Sequence, residues 1–150
     1  MHPDFLIRLL DWNEAMPLAR PIRELVFIDE QGVPRELEWD DRDARSVHAV
    51  AFDTQLRAIG TARLLPDAHI GRMAVLRHWR GRGVGSALAR ELIGRAAEQG
   101  FKEVALNAQL QAEAFYRRLG FIPRGPVFEE AGIAHLEMVL PLGREVPRKS

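Results

Sequence analysis

The sequence predicts a single α/β (α+β) domain spanning residues 1–150, with a mixed, mostly antiparallel sheet of about six to seven strands flanked by about four helices. Three observations carry this reading. Apolar runs of strand character alternate with segments of helical period along most of the 150 residues. Turn signals at Asp53-Thr54-Gln55 and Pro66-Asp67 join three consecutive strand candidates into an antiparallel meander. A glycine-rich turn, Arg80-Gly81-Arg82-Gly83-Val84-Gly85-Ser86, connects a strand to a long helix that leads into another apolar run, making one βαβ unit.

Taken in order, Phe5 to Leu10 is a short apolar run and reads as the first strand. From Asn13 to Gln31, Ala15, Leu18, Ala19, Ile22, Val26 and Phe27 have helical spacing. A break is expected near Pro17 or Pro21, because an interior proline lacks the N–H a helix needs. Gln31-Gly32-Val33-Pro34 ends the segment, and the charge-dense stretch Arg35 to Arg45 reads as a short second helix or an exposed loop around Trp39. Val47 to Asp53, Arg57 to Leu65 and His69 to Leu76 are the meander strands. After the glycine turn, Val84, Ala87, Leu88, Leu92, Ile93 and Ala96 mark one helical face, which Gly100 stops. Glu103 to Asn107 reads as a buried strand parallel to the one before the turn. Gln111 to Leu119 is another helix, with Ala112, Phe115, Tyr116 and Leu119 on one face and Gly120 as its cap. Phe121-Ile122 and Ala134 to Leu140 close the sheet. The polar, proline-broken tail from Gly143 to Ser150 is expected to fray.

Composition narrows the function. Apolar residues make up 47% and charged residues 28%, as in ordinary globular domains. The 21 basic and 21 acidic residues cancel, which argues against a general nucleic-acid binder. There is no cysteine, so disulfides, thiolate metal sites and cysteine nucleophiles are excluded, and the five histidines show no metal spacing. No apolar run approaches a membrane span and the N-terminus has no signal-peptide pattern. A cytoplasmic protein with no membrane partner is expected.

The glycine turn carries the chemistry. Gly81, Gly83 and Gly85 let backbone approach a ligand without an intervening Cβ. The helix they open offers free N–H groups and a positive dipole end, and Arg77, Arg80 and Arg82 add charge nearby. A phosphate or pyrophosphate is the natural ligand, although a glycine turn can also serve only to connect strand to helix. A P-loop requires Gly-Lys-Ser/Thr where this chain has Gly85-Ser86 without a lysine. The dinucleotide fingerprint, read from Gly83 and Gly85, requires a third glycine where the chain has Leu88.

Arg80-x-x-Gly83-x-Gly85, after a strand ending in Met73-Ala74-Val75, resembles the acetyl-CoA-binding motif of the GCN5-related N-acetyltransferases (GNATs). Asn107 at a strand end and Phe115-Tyr116-Arg117-Arg118-Leu119-Gly120-Phe121 resemble the family's second signature. The strings Val26-Phe27-Ile28-Asp29-Glu30-Gln31-Gly32-Val33-Pro34 and Ala131-Gly132-Ile133-Ala134-His135 are similar to the ElaA-type branch. The resemblance covers nearly the whole chain.

It implies a parallel strand pair that parts at the acetyl-CoA site. Met73, Ala74 and Val75 would contact the pantetheine arm through their backbone. Arg80, Gly81, Arg82, Gly83, Val84, Gly85 and Ser86 would cradle the pyrophosphate, mostly by amides, and Asn107 and Phe115 would line the other wall. Arg118 would either reach the nucleotide end or stay in solvent. Tyr116, the only tyrosine, sits where the family often has its general acid, or else completes the apolar face of its helix. A phenol of pKa about 10 stays protonated at neutral pH and can donate to a departing sulfur. The Val75 backbone amide is the expected oxyanion contact.

Several groups compete for the base. Glu30, at the end of the first long helix, is one candidate base or acceptor contact; His69, Glu130 and His135 are others, and ordered water can serve instead. His48 reads as a core histidine. The implied function is direct acetyl transfer from acetyl-CoA to a primary amine on a small molecule or peptide. No covalent enzyme intermediate is involved, since no cysteine is available for the usual route. No metal is implied, and a homodimer is compatible. The alternatives are a non-catalytic acyl-CoA-binding regulatory module of the same fold and a nucleotide-binding protein.

Overall fold

In the computed structural model, which describes residues 4–143, one eight-stranded sheet organises the chain. Its strands are β1 (Phe5–Leu10), β2 (Val47–Asp53), β3 (Ala58–Leu64), β4 (His69–Val75), β5 (Glu103–Gln109), β6 (Ile122–Pro123), β7 (Phe128–Glu130) and β8 (Ile133–Pro141). The order is β1-β2-β3-β4-β5-β8-β6, with β7 also on β8. Neighbours are antiparallel except β4 and β5, which are parallel. The closing region thus holds β7 as well as the two expected strands. All three of its residues are exposed, so they show no burial alternation. The frayed tail expected after Gly143 lies outside the described residues.

Helix α3 (Val84–Glu98) covers one face of the sheet. Its side chains Val84, Ala87, Leu88, Leu92 and Ala96 pack with Ala49, Ala51, Ala62, Leu64 and Leu106 into the main core. A Cβ on Gly60 of β3 would stand 3.1 Å from Val84 and 3.3 Å from Leu88, so glycine there sets how closely α3 seats. Helix α4 (Glu113–Arg118) follows β5 after a short 3₁₀ turn. No helix among the described residues is long and apolar enough to cross a membrane.

Helix α1 (Trp12–Arg23) covers the opposite face, capped by the Asp11 carboxylate accepting from the Glu14 amide at 3.0 Å. The break expected near Pro17 or Pro21 does not occur. Both prolines are exposed and four residues apart, so the lost hydrogen bonds fall on one wet face where water meets the freed carbonyls. The helix instead widens into a π-helix over Glu24–Glu30, with the Gln31 amide donating to the Val26 carbonyl at 3.1 Å.

The charged stretch after it, with α2 (Arg35–Glu38), is not simply an exposed loop. Arg23, Glu38, Asp43 and Arg63 are 1%, 2%, 4% and 2% exposed. Arg23 donates to Glu38 and, at 2.9 Å, to Asp43. Arg63 bridges Asp43 at 3.0 Å and Asp40 at 2.9 Å. Charges are buried here because each has a partner. Burial pushes the Glu38 carboxyl up, against the pull of Arg23. Burial also works against the Asp40 carboxylate, but the Arg63 hydrogen bond and charge outweigh it and hold it below its ordinary range. His48 is the core histidine expected. Its Nε2 lies 2.9 Å from the Asp43 carbonyl, its ring is against Trp12, and burial lowers its pKa.

Candidate active site

The parallel register between β4 and β5 pairs only His69 with Ala105 and Ile70 with Leu106. Beyond these the strands run on unpaired, to Val75 and Gln109, and a gap opens between them. A bulge in β4 accompanies the parting: Arg63 faces Gly71 and Thr61 faces Ala74, so β4 carries one residue more than β3. Arg72 takes up that residue at φ +49°. Its guanidinium donates to the Glu38 carbonyl at 3.0 Å and to Asp40 at 3.3 Å, tying the bulge to the α2 segment.

The bulge also sets which way β4 faces. Met73 and Val75 pack on the same core as Ile70, whereas Ala74 packs with Ile22 and Val26 below α1. At the end of the strand, the Leu76 amide donates to the Ile59 carbonyl at 3.0 Å. By antiparallel alternation the facing pair Gly60 and Val75 is then non-hydrogen-bonded, and the Val75 N–H and C=O point away from β3 toward the gap.

The glycine turn closes the upper end. Gly81 and Gly83 adopt φ +74° and +89°, which side-chain-bearing residues rarely reach, and the space where a Gly83 Cβ would stand is open. The Arg80 amide donates to Arg77, and the first helical bond of α3 runs from Ala87 to Gly83. Among the described residues, the amides of residues 81–86 donate to no other group, and no side chain caps α3. A cleft of about 510 Å³ runs from these amides down to Met73, Ala74 and Val75 on β4, with Phe115 on the α4 side. A Cβ at Gly85 would stand in ordinary contact with Phe115, at 3.4 Å, and with Met73, at 3.6 Å, so Gly85 lies against both cleft residues.

Most of the anticipated residues meet at this cleft: Met73, Ala74, Val75, Arg80, Gly81, Gly83, Val84, Gly85, Ser86 and Phe115 all line it. Tyr116 stands just behind. Its hydroxyl donates to the Met73 Sδ at 3.7 Å, its ring meets Phe115 and Phe121 edge-on, and burial pushes its pKa up to about 12. The Arg82 side chain does not line the cleft; it lies over the Trp79 ring, 4.1 Å from its centroid. Asn107, on β5 past the parting, donates to Glu130 at 3.2 Å.

The candidate bases are dispersed. Glu30 accepts from Arg80 at 2.6 Å and lies 3.8 Å from Arg77, so its carboxylate is already committed to two guanidinium groups. His69 sits at the closed end of the parallel pair, beside Asp67. His135 is buried, stacked on Phe128, with Nδ1 2.7 Å from the Ile133 carbonyl. No group of three or more His, Cys, Asp and Glu side chains among the described residues is arranged to hold a metal ion.

Sequence reasoning missed three lining residues: Val26, Gln31 and Trp79. Val26 had been read only as part of an apolar helix face. Gln31 meets Gln109 at 3.0 Å, a contact between distant residues that no local pattern announces.

Comparison with known proteins adds to this geometry. The profile described as "Acetyltransferase (GNAT) domain" matches residues 25–142. The chain is 37% identical over 131 residues to "Uncharacterized N-acetyltransferase YjcF" of Bacillus subtilis, covering 85% of this chain and 93% of the relative. A Lactobacillus plantarum crystal structure, provisionally described as an N-acetyltransferase, superposes with TM-score 0.85 at 26% identity, covering 93% of this chain and 99% of that one. The crystal structure of Escherichia coli ElaA superposes with TM-score 0.79 at 27% identity, covering 91% of this chain and 99% of that one.

Proposed function

Because the chain belongs to the GNAT acetyltransferase family, we propose that it transfers the acetyl group of acetyl-CoA directly to a primary amine. The observation that carries the reading is the run of free amides over residues 81–86 at the head of α3, opening on the cleft. Six consecutive donors with a helix dipole behind them suit a pyrophosphate. The two glycines with positive φ supply a turn that such a close approach requires.

Bound there, acetyl-CoA would supply an activated acyl carbonyl and a thiol leaving group. The chain's own residues do the rest. Backbone groups of Met73 and Val75 orient the pantetheine arm where a neighbouring strand would otherwise pair, while those of Ala74 face Thr61 on β3. Val75 offers its N–H to negative charge developing on the acyl oxygen. Tyr116 holds a proton on its phenolic oxygen at neutral pH and donates it to the departing sulfur, although burial makes the phenol a weaker acid than in water. Phe115 forms the far wall; Asn107, expected beside it, instead donates to Glu130 and does not line the cleft. Water, rather than the paired Glu30 carboxylate, takes the proton of the amine.

The acceptor is a small-molecule or peptide amine in the cytoplasm. A panel of such amines, with thiol release followed spectrophotometrically, tests the reading, and the cysteine-free chain contributes no thiol background. Acetyl-CoA turnover above the hydrolysis blank with one acceptor is expected. Binding of acetyl-CoA with no turnover across the panel would favour the regulatory-module alternative.

A further inference from the structure

Arg80 opens the glycine turn, yet its side chain turns back from it. The Nε donates to the Val75 carbonyl at 2.8 Å, and one terminal nitrogen donates to Glu30 at 2.6 Å. That carbonyl points into the gap left by the parting of β4 and β5, where a continuous sheet would supply an N–H from the next strand. A backbone carbonyl without a partner is costly, and the end of β4 is held by a neighbouring strand on its β3 edge only. The guanidinium makes the missing bond. Glu30, on the π-helix, fixes the guanidinium from the other side, with Arg77 3.8 Å from its second oxygen.

We propose that Arg80 is a positioning residue for the Val75 backbone, held by Glu30, and not a ligand of the pyrophosphate. The clasp keeps residue 75 directed at the reacting carbonyl. It replaces the reading of Arg80 as part of the anion cradle and of Glu30 as a base, and it rests on the acetyl-transfer function proposed above.

The experiment compares acetyl-CoA with S-acetylpantetheine, which has no pyrophosphate, in the wild type, Arg80→Met, Glu30→Gln and the double variant. Arg80 is half-exposed and Glu30→Gln is nearly isosteric, so the variants are expected to fold. The positioning role predicts that Arg80→Met lowers kcat by about 10- to 100-fold with both donors alike. The calorimetric Kd for CoA should stay within about threefold. Glu30→Gln should lower kcat in the same direction, and the double variant should be no worse than Arg80→Met alone.

A CoA Kd weakened about tenfold or more, with S-acetylpantetheine turnover unchanged, makes Arg80 a phosphate ligand and overturns the proposal. Unchanged kinetics with both donors overturn it as well. Hydrogen exchange in the ligand-free protein provides a measurement independent of turnover. Exchange of the Leu76 amide, which shares its peptide with the Val75 carbonyl, should speed up about fivefold or more in Arg80→Met, while exchange within α3 stays the same. An unaltered Leu76 rate overturns the positioning role. An inactive wild type whose Leu76 rate still responds defeats only the acetyl-transfer reading.

Discussion

The Tyr116 hydroxyl donates to the Met73 Sδ across 3.7 Å, joining α4 to the bulged strand β4 beside the cleft. Sulfur is a weak acceptor and gives up such a donor at little cost. Its ring also meets Phe115 and Phe121 edge-on and packs against the main core. The hydroxyl is therefore held loosely beside the cleft, where the acetyl transfer proposed above would need a proton.

Tyr116→Phe should keep the ring packing and the CoA affinity while lowering the single-turnover rate roughly 10²- to 10⁴-fold. That is about 3 to 5 kcal/mol of transition-state stabilisation. Rapid-quench kinetics with a working amine acceptor measure it without interference from product release. An unchanged rate removes Tyr116 from the mechanism and leaves it a core residue.

Alkaline stability reports on the same hydroxyl. Burial raises its pKa to about 12 in the folded protein, against about 10 for a free phenol. Below pH ~10 both states hold the proton and the stabilisation is whole; between about 10 and 12 only the unfolded state releases it, and stability falls. Urea titrations of the wild type and Tyr116→Phe should therefore show a steeper loss above pH ~10 in the wild type. Parallel curves would contradict the buried environment.

Acetyl-CoA and CoA should raise the melting temperature, and ATP and NAD should not. At a hundredfold excess over Kd the ligand adds about 2.7 kcal/mol of stability. A thermal-shift titration in which ATP or NAD matched acetyl-CoA would reassign the cleft to nucleotides.

Gly83→Val forces a branched side chain into φ +89°, and Gly85→Val adds methyl groups where a Cβ already lies 3.4 Å from Phe115. Each should weaken CoA binding by at least about tenfold, the first by distorting the amide cradle and the second by filling the cleft. Calorimetry on variants that melt cooperatively decides. Wild-type affinity in either would move the anion site elsewhere.

Arg23→Met leaves the Glu38 and Asp43 carboxylates buried with one cation fewer. A loss of about 3 to 5 kcal/mol is expected in urea denaturation. Adding Glu38→Gln should recover part of it, because the stranded charge is then gone.

Much of the cleft was legible in the sequence because it is made of backbone. Glycines at alternate positions, and a helix period beginning at Val84, specify free amides without reference to distant side chains. The bulge was not legible. Strict alternation along β4 sets Met73 on the face opposite Ile70, and only the residue absorbed at Arg72 brings both onto the α3 side. The short helix expected in the charged stretch from Arg35 to Arg45 is present, but the burial of its charges was not legible for a similar reason. Its partners Arg23, Arg63 and Arg72 lie on three other elements, and local composition cannot distinguish paired charge from solvated charge. Glu30 looked available as a base until the fold placed Arg80 against it, fifty residues away.

The π-helix over Glu24–Glu30 has a consequence for how the chain tolerates changes of length. Each residue added to or removed from a helix turns everything beyond it by about 100°. A single-codon deletion between Arg23 and Glu30 would restore ordinary helical winding and improve the local hydrogen bonding. It would also swing Glu30 off Arg80 and carry Gln31 out of the cleft wall. Insertions and deletions are usually tolerated best at the surface, but here a half-exposed helix is a stretch where chain length itself is held fixed, and a locally better helix would be the poorer enzyme.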